Sequence, residues 1–430
     1  MKLSTYKYSY ILWSVALAGF TTTQVLAQTS SPAANPRDVN TNKFFYELIN
    51  LSKNKEQSAY NFSPAVKLPC LRVEDQCRTS TCWSYSTLSL LESELLRTNK
   101  GEHNLSQMYV ARWAYVEKAK MFLRMNGKHN FDQGGEGHDI PTIIEKYGIV
   151  PEEVYTGLKS KNPGTDPTAR HDHSEMIAVL KGYMEALVKR DPGTYSTDWL
   201  TGFEGILDAY LGPIPLTFTY QGKSYTPQSF ANSLGLNMDN YIALTSFTHH
   251  LPYEFFPIEV QDNWAMDRAW NLPLDEFTQT VVEALNKGYT VAWAADVSEK
   301  GFSFRDGLAI VPLDESTIQK IGKDNAGFND AGAEKKSNAF AQPVEEKTIT
   351  PAVRQEAFDK QTTTDDHGMH IVGMSKSTDN KLYFLVKNSW GTGNYMGGMF
   401  YVSEAYFRYK TISVMLHKEA LPKSISKKIN

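Results

Sequence analysis

A chain of 430 residues with 41% hydrophobic and 21% charged side chains carries enough apolar material for roughly one to three packed domains and excludes a disordered polymer. Its net charge of −4 gives no electrostatic basis for binding nucleic acid or an anionic membrane. The aromatic share of 12% fits a densely packed fold.

In chain order, Lys2 and Lys7 precede an apolar run from Ile11 to Phe20, and Val25-Leu26-Ala27 supplies small residues before Gln28. This predicts a secretory signal peptide over residues 1–27, cleaved after Ala27, and hence a secreted or periplasmic protein. A bilayer-spanning helix takes ~20 apolar residues, more than this run supplies, so no membrane attachment is expected after cleavage. Residues 28–60 read as a leader rich in Ser, Pro, Ala and Asn, followed by a short packing segment in which Phe44, Phe45, Leu48, Ile49 and Leu51 recur at helical spacing.

Residues 61–168 predict a helical lobe. A Pro-containing extended segment enters a loop ending at Cys82, a long buried helix follows it, and a second helix runs from Ser106, its cap, to about Met125. Residues 169–272 read as an insertion. It is helical from Ala169 to about Leu211, then carries short β-like runs from Ile214. Residues 273–416 predict a β lobe, with a helix from Leu274 to Leu285 stopped by Gly288 and strands at Tyr289–Ala294 and Tyr383–Lys387. Within it, Ile321 to about Thr348 is polar and predicts an exposed loop, and the tail 417–430 predicts a mobile end. No internal repeat is visible.

Chemistry concentrates at three places. Cys82 lies at the start of a helical run, where the positive end of the macrodipole favours thiolate, the nucleophilic form. Gln76, six residues earlier, can turn an amide N–H₂ toward an oxyanion. Much later come Asp366-His367-Gly368-Met369-His370 and Lys387-Asn388-Ser389-Trp390-Gly391. A thiol, an imidazole and an amide in this chain order are the parts of a nucleophile, its base and the group that orients the base.

These strings resemble the papain-type cysteine peptidases, in which Gln, Cys-Trp, His-small and Asn-Ser-Trp-Gly recur. Leu105-Ser106-Gln107-Met108-Tyr109, Asp132-Gln133-Gly134-Gly135 and Glu145-Lys146-Tyr147-Gly148-Ile149-Val150-Pro151 resemble the bleomycin hydrolase and aminopeptidase C branch. Cys82 and His367 stand 285 positions apart, against about 130–150 in papain-like enzymes, and that branch also carries large insertions. The resemblance implies an α+β, two-lobe fold. It also implies Cys82 as nucleophile, His367 as base, Asn388 orienting His367, and Gln76 as an oxyanion donor beside the Cys82 backbone N–H. Trp390 shields the His–Asn pair and joins Gly134 and Gly135 as candidate substrate-binding residues. The glycines either let a substrate backbone approach or form an ordinary turn. Neither a metal nor an organic cofactor is implied.

His370 competes with His367, but residues three apart on a strand face opposite sides, which leaves His370 as a packed histidine. His171 and His173 read as an exposed loop pair. Cys70 and Cys77 either pair after export or stay as thiols. Two departures from the branch stand out. Ser80 replaces a Gly two positions before the nucleophile. The basic tail also differs from one whose C-terminal carboxylate sits in the cleft and pairs with the substrate's amine. The expected partners are therefore peptides, with a homo-oligomer possible for this branch. The expected activity is that of an aminopeptidase on short peptides. The alternatives are an endopeptidase of the same chemistry and a catalytically silent peptide binder.

Overall fold

Two long apolar stretches of the sequence become the helix and the strand that meet at Cys82. The structure, a computed structural model, describes residues 59–158, 170–191, 193–324 and 333–429. The expected signal peptide, leader and packing segment, up to residue 58, lie outside the described residues.

Strand β1 (Ser63–Lys67) leads through the Gln76 loop to α1 (Cys82–Arg97), α2 (Gln107–Arg124) and α3 (Asp139–Tyr147). Next come α4 (Ser174–Val188), α5 (Trp199–Leu211), the hairpin β2 (Phe218–Tyr220) and β3 (Lys223–Tyr225), and α6 (Pro227–Leu234). They are followed by β4 (Tyr241–Thr245), β5 (Phe255–Pro257), β6 (Arg268–Asn271), α7 (Leu274–Asn286) and β7 (Val291–Ala295). Short strands β8 (Phe302–Ser303) and β9 (Leu308–Ala309) precede a second hairpin, β10 (Gln319–Asp324) and β11 (Ala333–Lys336). The chain closes with α8 (Pro351–Asp359), β12 (His367–Lys376), β13 (Leu382–Lys387), β14 (Met399–Ser403), α9 (Glu404–Lys410), β15 (Thr411–His417) and α10 (Lys423–Ser426).

The class is α+β. The main sheet runs β5-β6-β4-β15-β7-β12-β13-β14-β9-β8, with β1 also paired to β12, and most of its ladders are antiparallel. β12 therefore sits at the centre. Its first half pairs with β7, its second half with β1, and its other edge with β13. Gly373 is what lets β1 cross, because a Cβ there would stand 2.5 Å from the Val66 carbonyl oxygen.

One apolar cluster gathers α1 to α6 around Leu88, Leu91, Tyr115 and Phe203, and a second fills the space between the sheet and α7 around Phe277, Trp293, Ile371 and Phe384. α1 is buried on almost every side, and fully burying a leucine such as Leu88 or Leu91 contributes ~1.5–3 kcal/mol. The hydroxyl of Ser106 accepts the Tyr109 N–H at 3.0 Å and starts α2, the cap expected there.

Three expectations need correction. The polar stretch after Ile321 is not all exposed loop: β10 and β11 pair, and Lys335, Ala339 and Phe340 are buried. The tail is packed as far as Ile429. Ile425 and Ile429 enter the apolar cluster under α7, and Lys428 Nζ reaches Tyr253 Oη at 2.7 Å and Glu276 Oε1 at 2.8 Å. Alternation of apolar and basic residues hid a short amphipathic helix there. The third concerns His171 and His173 and belongs with the site.

Candidate active site

Cys82 is the first residue of α1, with Thr81 at the cap position and no acidic residue in the first turn to oppose the helix dipole. The helix start is pressed against β12. A Cβ on Gly368 would lie 3.0 Å from the Trp83 backbone nitrogen and 2.9 Å from Ser86 Oγ, so the position after His367 has room only for glycine. Cys82, His367, Gly135 and Glu136 all line one cavity between α1 and the sheet.

His367 opens β12, is 1% exposed, and lies almost flat on Trp390, with ring centroids 4.5 Å apart. Its Nε2 is 2.7 Å from Asn388 Oδ1. The same Oδ1 accepts the Ser389 backbone N–H at 2.8 Å, which identifies that atom as oxygen and makes Nε2 the protonated nitrogen. Nδ1 is then a bare lone pair, buried and without a hydrogen bond. Burial pushes the imidazole down to about 4, against a smaller upward pull from Asn388, so at neutral pH the ring is an uncharged base.

Gln76 is held from both ends. Its Oε1 accepts from Ser389 Oγ at 2.6 Å and its Nε2 donates to the Thr79 carbonyl at 2.6 Å, which leaves one amide N–H for another acceptor. Ser389, not singled out in the sequence, ties the Gln76 loop to the strand end that carries Asn388. Its signal was its place in Asn-Ser-Trp-Gly. Ser80 is not in the left-handed region, and its N–H donates to Gln133 Oε1 at 3.1 Å. The left-handed residue of this loop is Cys77, at φ +54°. All three cysteines are unbridged: Cys70 is fully buried and Cys77 sits against the Asp75 carbonyl.

The two glycines make room for this chain's own side chains. A Cβ on Gly134 would fall 1.8 Å from Asp262 Oδ2, and one on Gly135 would fall 2.9 Å from the Trp83 ring. Gly135 lines the cavity and Gly134 does not. His370 points to the other face of β12, where Nδ1 meets Ser89 Oγ of α1 at 2.9 Å. His171 and His173 are buried rather than exposed, with His173 Nδ1 3.0 Å from Tyr115 Oη. Their turn is pulled inward by the Arg78–His171 backbone bond, which charge counting along the sequence could not reveal.

An α+β fold with a cysteine at a helix start and a histidine–asparagine pair on the facing sheet defines the papain-like class of cysteine peptidases. Residues 28–126 and 316–430 match the peptidase C1-like family. Aminopeptidase C of Lactobacillus delbrueckii subsp. lactis is 24% identical over 413 residues, covering 86% of this chain and 85% of the relative. Aminopeptidase W of the same organism is 21% identical, with 84% of each chain covered. The crystal structure of pepw from Lactobacillus rhamnosis HN001 shares the fold, with a TM-score of 0.65, 20% identity and 90% of each chain covered. The chain belongs to the papain-like peptidase C1 family, in its aminopeptidase C group, and is a cysteine-type peptidase.

Proposed function

We propose that this chain is an exported cysteine aminopeptidase acting on short peptides, with Cys82 as nucleophile, His367 as base and Asn388 as the residue that orients the base. The observation that carries this reading is the asymmetry of His367. One ring nitrogen is committed to Asn388, and the other is an unpartnered lone pair in a ring lining the same cavity as Cys82.

In this reading Nδ1 takes the Sγ proton and Sγ attacks the peptide carbonyl. The resulting oxyanion is met by the Cys82 backbone N–H and the remaining Gln76 amide N–H. The imidazolium protonates the leaving amine, and water activated by the neutral ring then hydrolyses the thioester. Trp390 covers the His–Asn bond and keeps water from competing for it. The names of the aminopeptidase C, G and W relatives support exopeptidase action. Lys2, Lys7 and the apolar run before Ala27 support export.

The test is brief exposure of the purified protein to a peptidyl epoxide, followed by peptide mapping. A single adduct on Cys82, lost in His367→Ala, is expected, and an unlabelled, folded and reduced protein would favour a silent peptide binder. Cleavage of leucyl but not acetyl-leucyl fluorogenic amides separates the aminopeptidase from an endopeptidase. An N-terminus at Gln28 on the exported protein checks the processing.

A further inference from the structure

The cavity beside Cys82 is acidic to a degree that peptide hydrolysis does not require. Glu136, Asp262, Asp365 and Asp366 all line it, and among its lining residues His367 is the only basic one. The Glu136 side chain is 2% exposed. Its Oε2 takes a long contact of 3.4 Å from Ser413 Oγ on the cavity wall, and its Oε1 has no hydrogen-bond donor. The carboxyl of Asp365 stands against it within hydrogen-bonding reach. The backbone around Glu136 is fixed: its N–H donates to Asp139 Oδ2 at 2.9 Å, and the Trp264 indole N–H holds the same oxygen at 2.7 Å. Lys118 is not among the lining residues, and its Nζ donates to the carbonyl oxygens of Asp132 (2.8 Å) and Gly134.

Two carboxyls held together, one of them out of water and with an oxygen lacking a donor, are satisfied either by a shared proton or by a cation. Burial first, and the facing Asp365 second, push the Glu136 carboxyl well above the usual carboxylate range, as a proton shared between the two requires. The open space is about 30 Å³, room for about two water-sized groups, which suits the head of an ammonium or guanidinium better than a bulky side chain.

We infer that Glu136 and Asp365 form a subsite for a cationic nitrogen of the peptide substrate, placed beside the reacting carbonyl at Cys82. The chemistry recognised is an N–H-rich cation, supplied either by the free α-ammonium of the first residue or by a Lys or Arg side chain. The inference rests on the peptidase reading for its meaning, but the binding it describes does not need turnover.

Calorimetric titration of the Cys82→Ala protein tests it without catalysis, using leucinamide, acetyl-leucinamide and acetyl-argininamide. Binding of leucinamide but not acetyl-leucinamide identifies the α-ammonium as the group held. Binding of acetyl-argininamide instead identifies the side chain. In either case Glu136→Gln on the same background should weaken the charged ligand at least about tenfold, and Asp365→Asn supplies a second variant should the first fail to unfold cooperatively. Equal affinity for charged and neutral ligands, no binding of any, or charged-ligand affinity unchanged in both variants would overturn the inference. Epoxide labelling of Cys82 and leucyl-amide cleavage by the wild-type protein report separately on the peptidase reading, so the two can fail independently.

Discussion

The two faces of β12 carry two histidines with opposite fates. His367 looks toward Asn388 and Trp390, and one of its nitrogens is left bare in a cavity with Cys82. His370, three residues on, looks toward α1 and shares Ser89 Oγ with the buried Lys387 ammonium, which donates to that oxygen at 2.8 Å. Both rings are pushed below the usual imidazole range by burial, and Lys387 adds to the effect at His370. Depressed basicity therefore does not distinguish the proposed base from a packed histidine. The neighbours do: an orienting amide and an open nitrogen on one side, a hydroxyl and a fixed ammonium on the other.

The sharpest way to break this comparison is at Cys82, the proposed nucleophile, which shares a cavity with His367 and not with His370. Cys82→Ala should lower kcat by ~10⁴-fold or more and leave the melting temperature nearly unchanged. A comparable fall on His370→Ala in a folded protein would mean that the faces have been assigned the wrong way round.

The next effect is on stability against pH, best measured in the Cys82→Ala background so that no thiolate pairs with the ring. The folded His367 value of about 4 lies below the unfolded value of about 6.5, so the unfolded chain binds the proton more readily. The stability this ring contributes is complete above about 6.5 and is lost as pH falls toward 4, by roughly 3 kcal/mol. Glu92 and Asp139, raised by burial to about 7 and about 6, act with the opposite sign: their contribution is present at low pH and is lost as pH rises through the folded values. The difference between this protein and its His367→Gln derivative isolates the histidine. That difference should shift in favour of the Gln derivative between pH 6.5 and 4. A pH-independent difference would mean that the ring titrates in the fold as it does in the unfolded chain, and a shift of the opposite sign would mean that the fold holds it charged.

Asn388→Ala should follow, slowing kcat on the order of 10²-fold, because the ring loses its orientation and its tautomer but not its basicity. His370→Ala should cost ~2 kcal/mol of stability in denaturant unfolding, from the cavity it opens and the Ser89 hydroxyl it leaves less well bonded. It should leave kcat/KM of the folded protein nearly as it was. Together these variants turn the two faces into a double dissociation between activity and stability.

What the sequence could show follows from this geometry. Cys82, His367 and Asn388 were legible because local strings fix them: a helix start, a strand start and a strand end. The strict alternation of a strand also separated His367 from His370. The acidic cavity was not legible, because Glu136, Asp262 and Asp365 arrive from three distant segments and each reads alone as a surface charge. The burial of His171 and His173 was hidden in the same way, since it depends on a backbone bond to Arg78. Helix boundaries came through where a cap or a stop exists, as at Ser106 and after Leu285. The docked tail did not, because Ile425 and Ile429 are buried by α7, more than a hundred residues earlier.

The smallest expected effect lies in the loop that joins the two faces. Cys77 holds φ +54°, a conformation that costs a non-glycine residue about 1 kcal/mol, and its N–H is anchored on Asp75 Oδ1 at 2.9 Å. That turn follows Gln76, whose amide is clamped by Ser389 on the His367 side, and leads to Cys82 at the head of the helix that meets His370 through Ser89, two turns further on. Cys77→Gly relieves the strain but gives the unfolded chain more freedom, and it loses the weak Sγ–H contact to the Asp75 carbonyl. The net change should stay within about 1 kcal/mol, with kcat/KM intact. Cys77→Ala keeps the strain and loses the contact, so in denaturant unfolding it should be less stable than the glycine variant. The reverse order would mean that the freedom glycine gives the unfolded chain outweighs the left-handed strain it relieves.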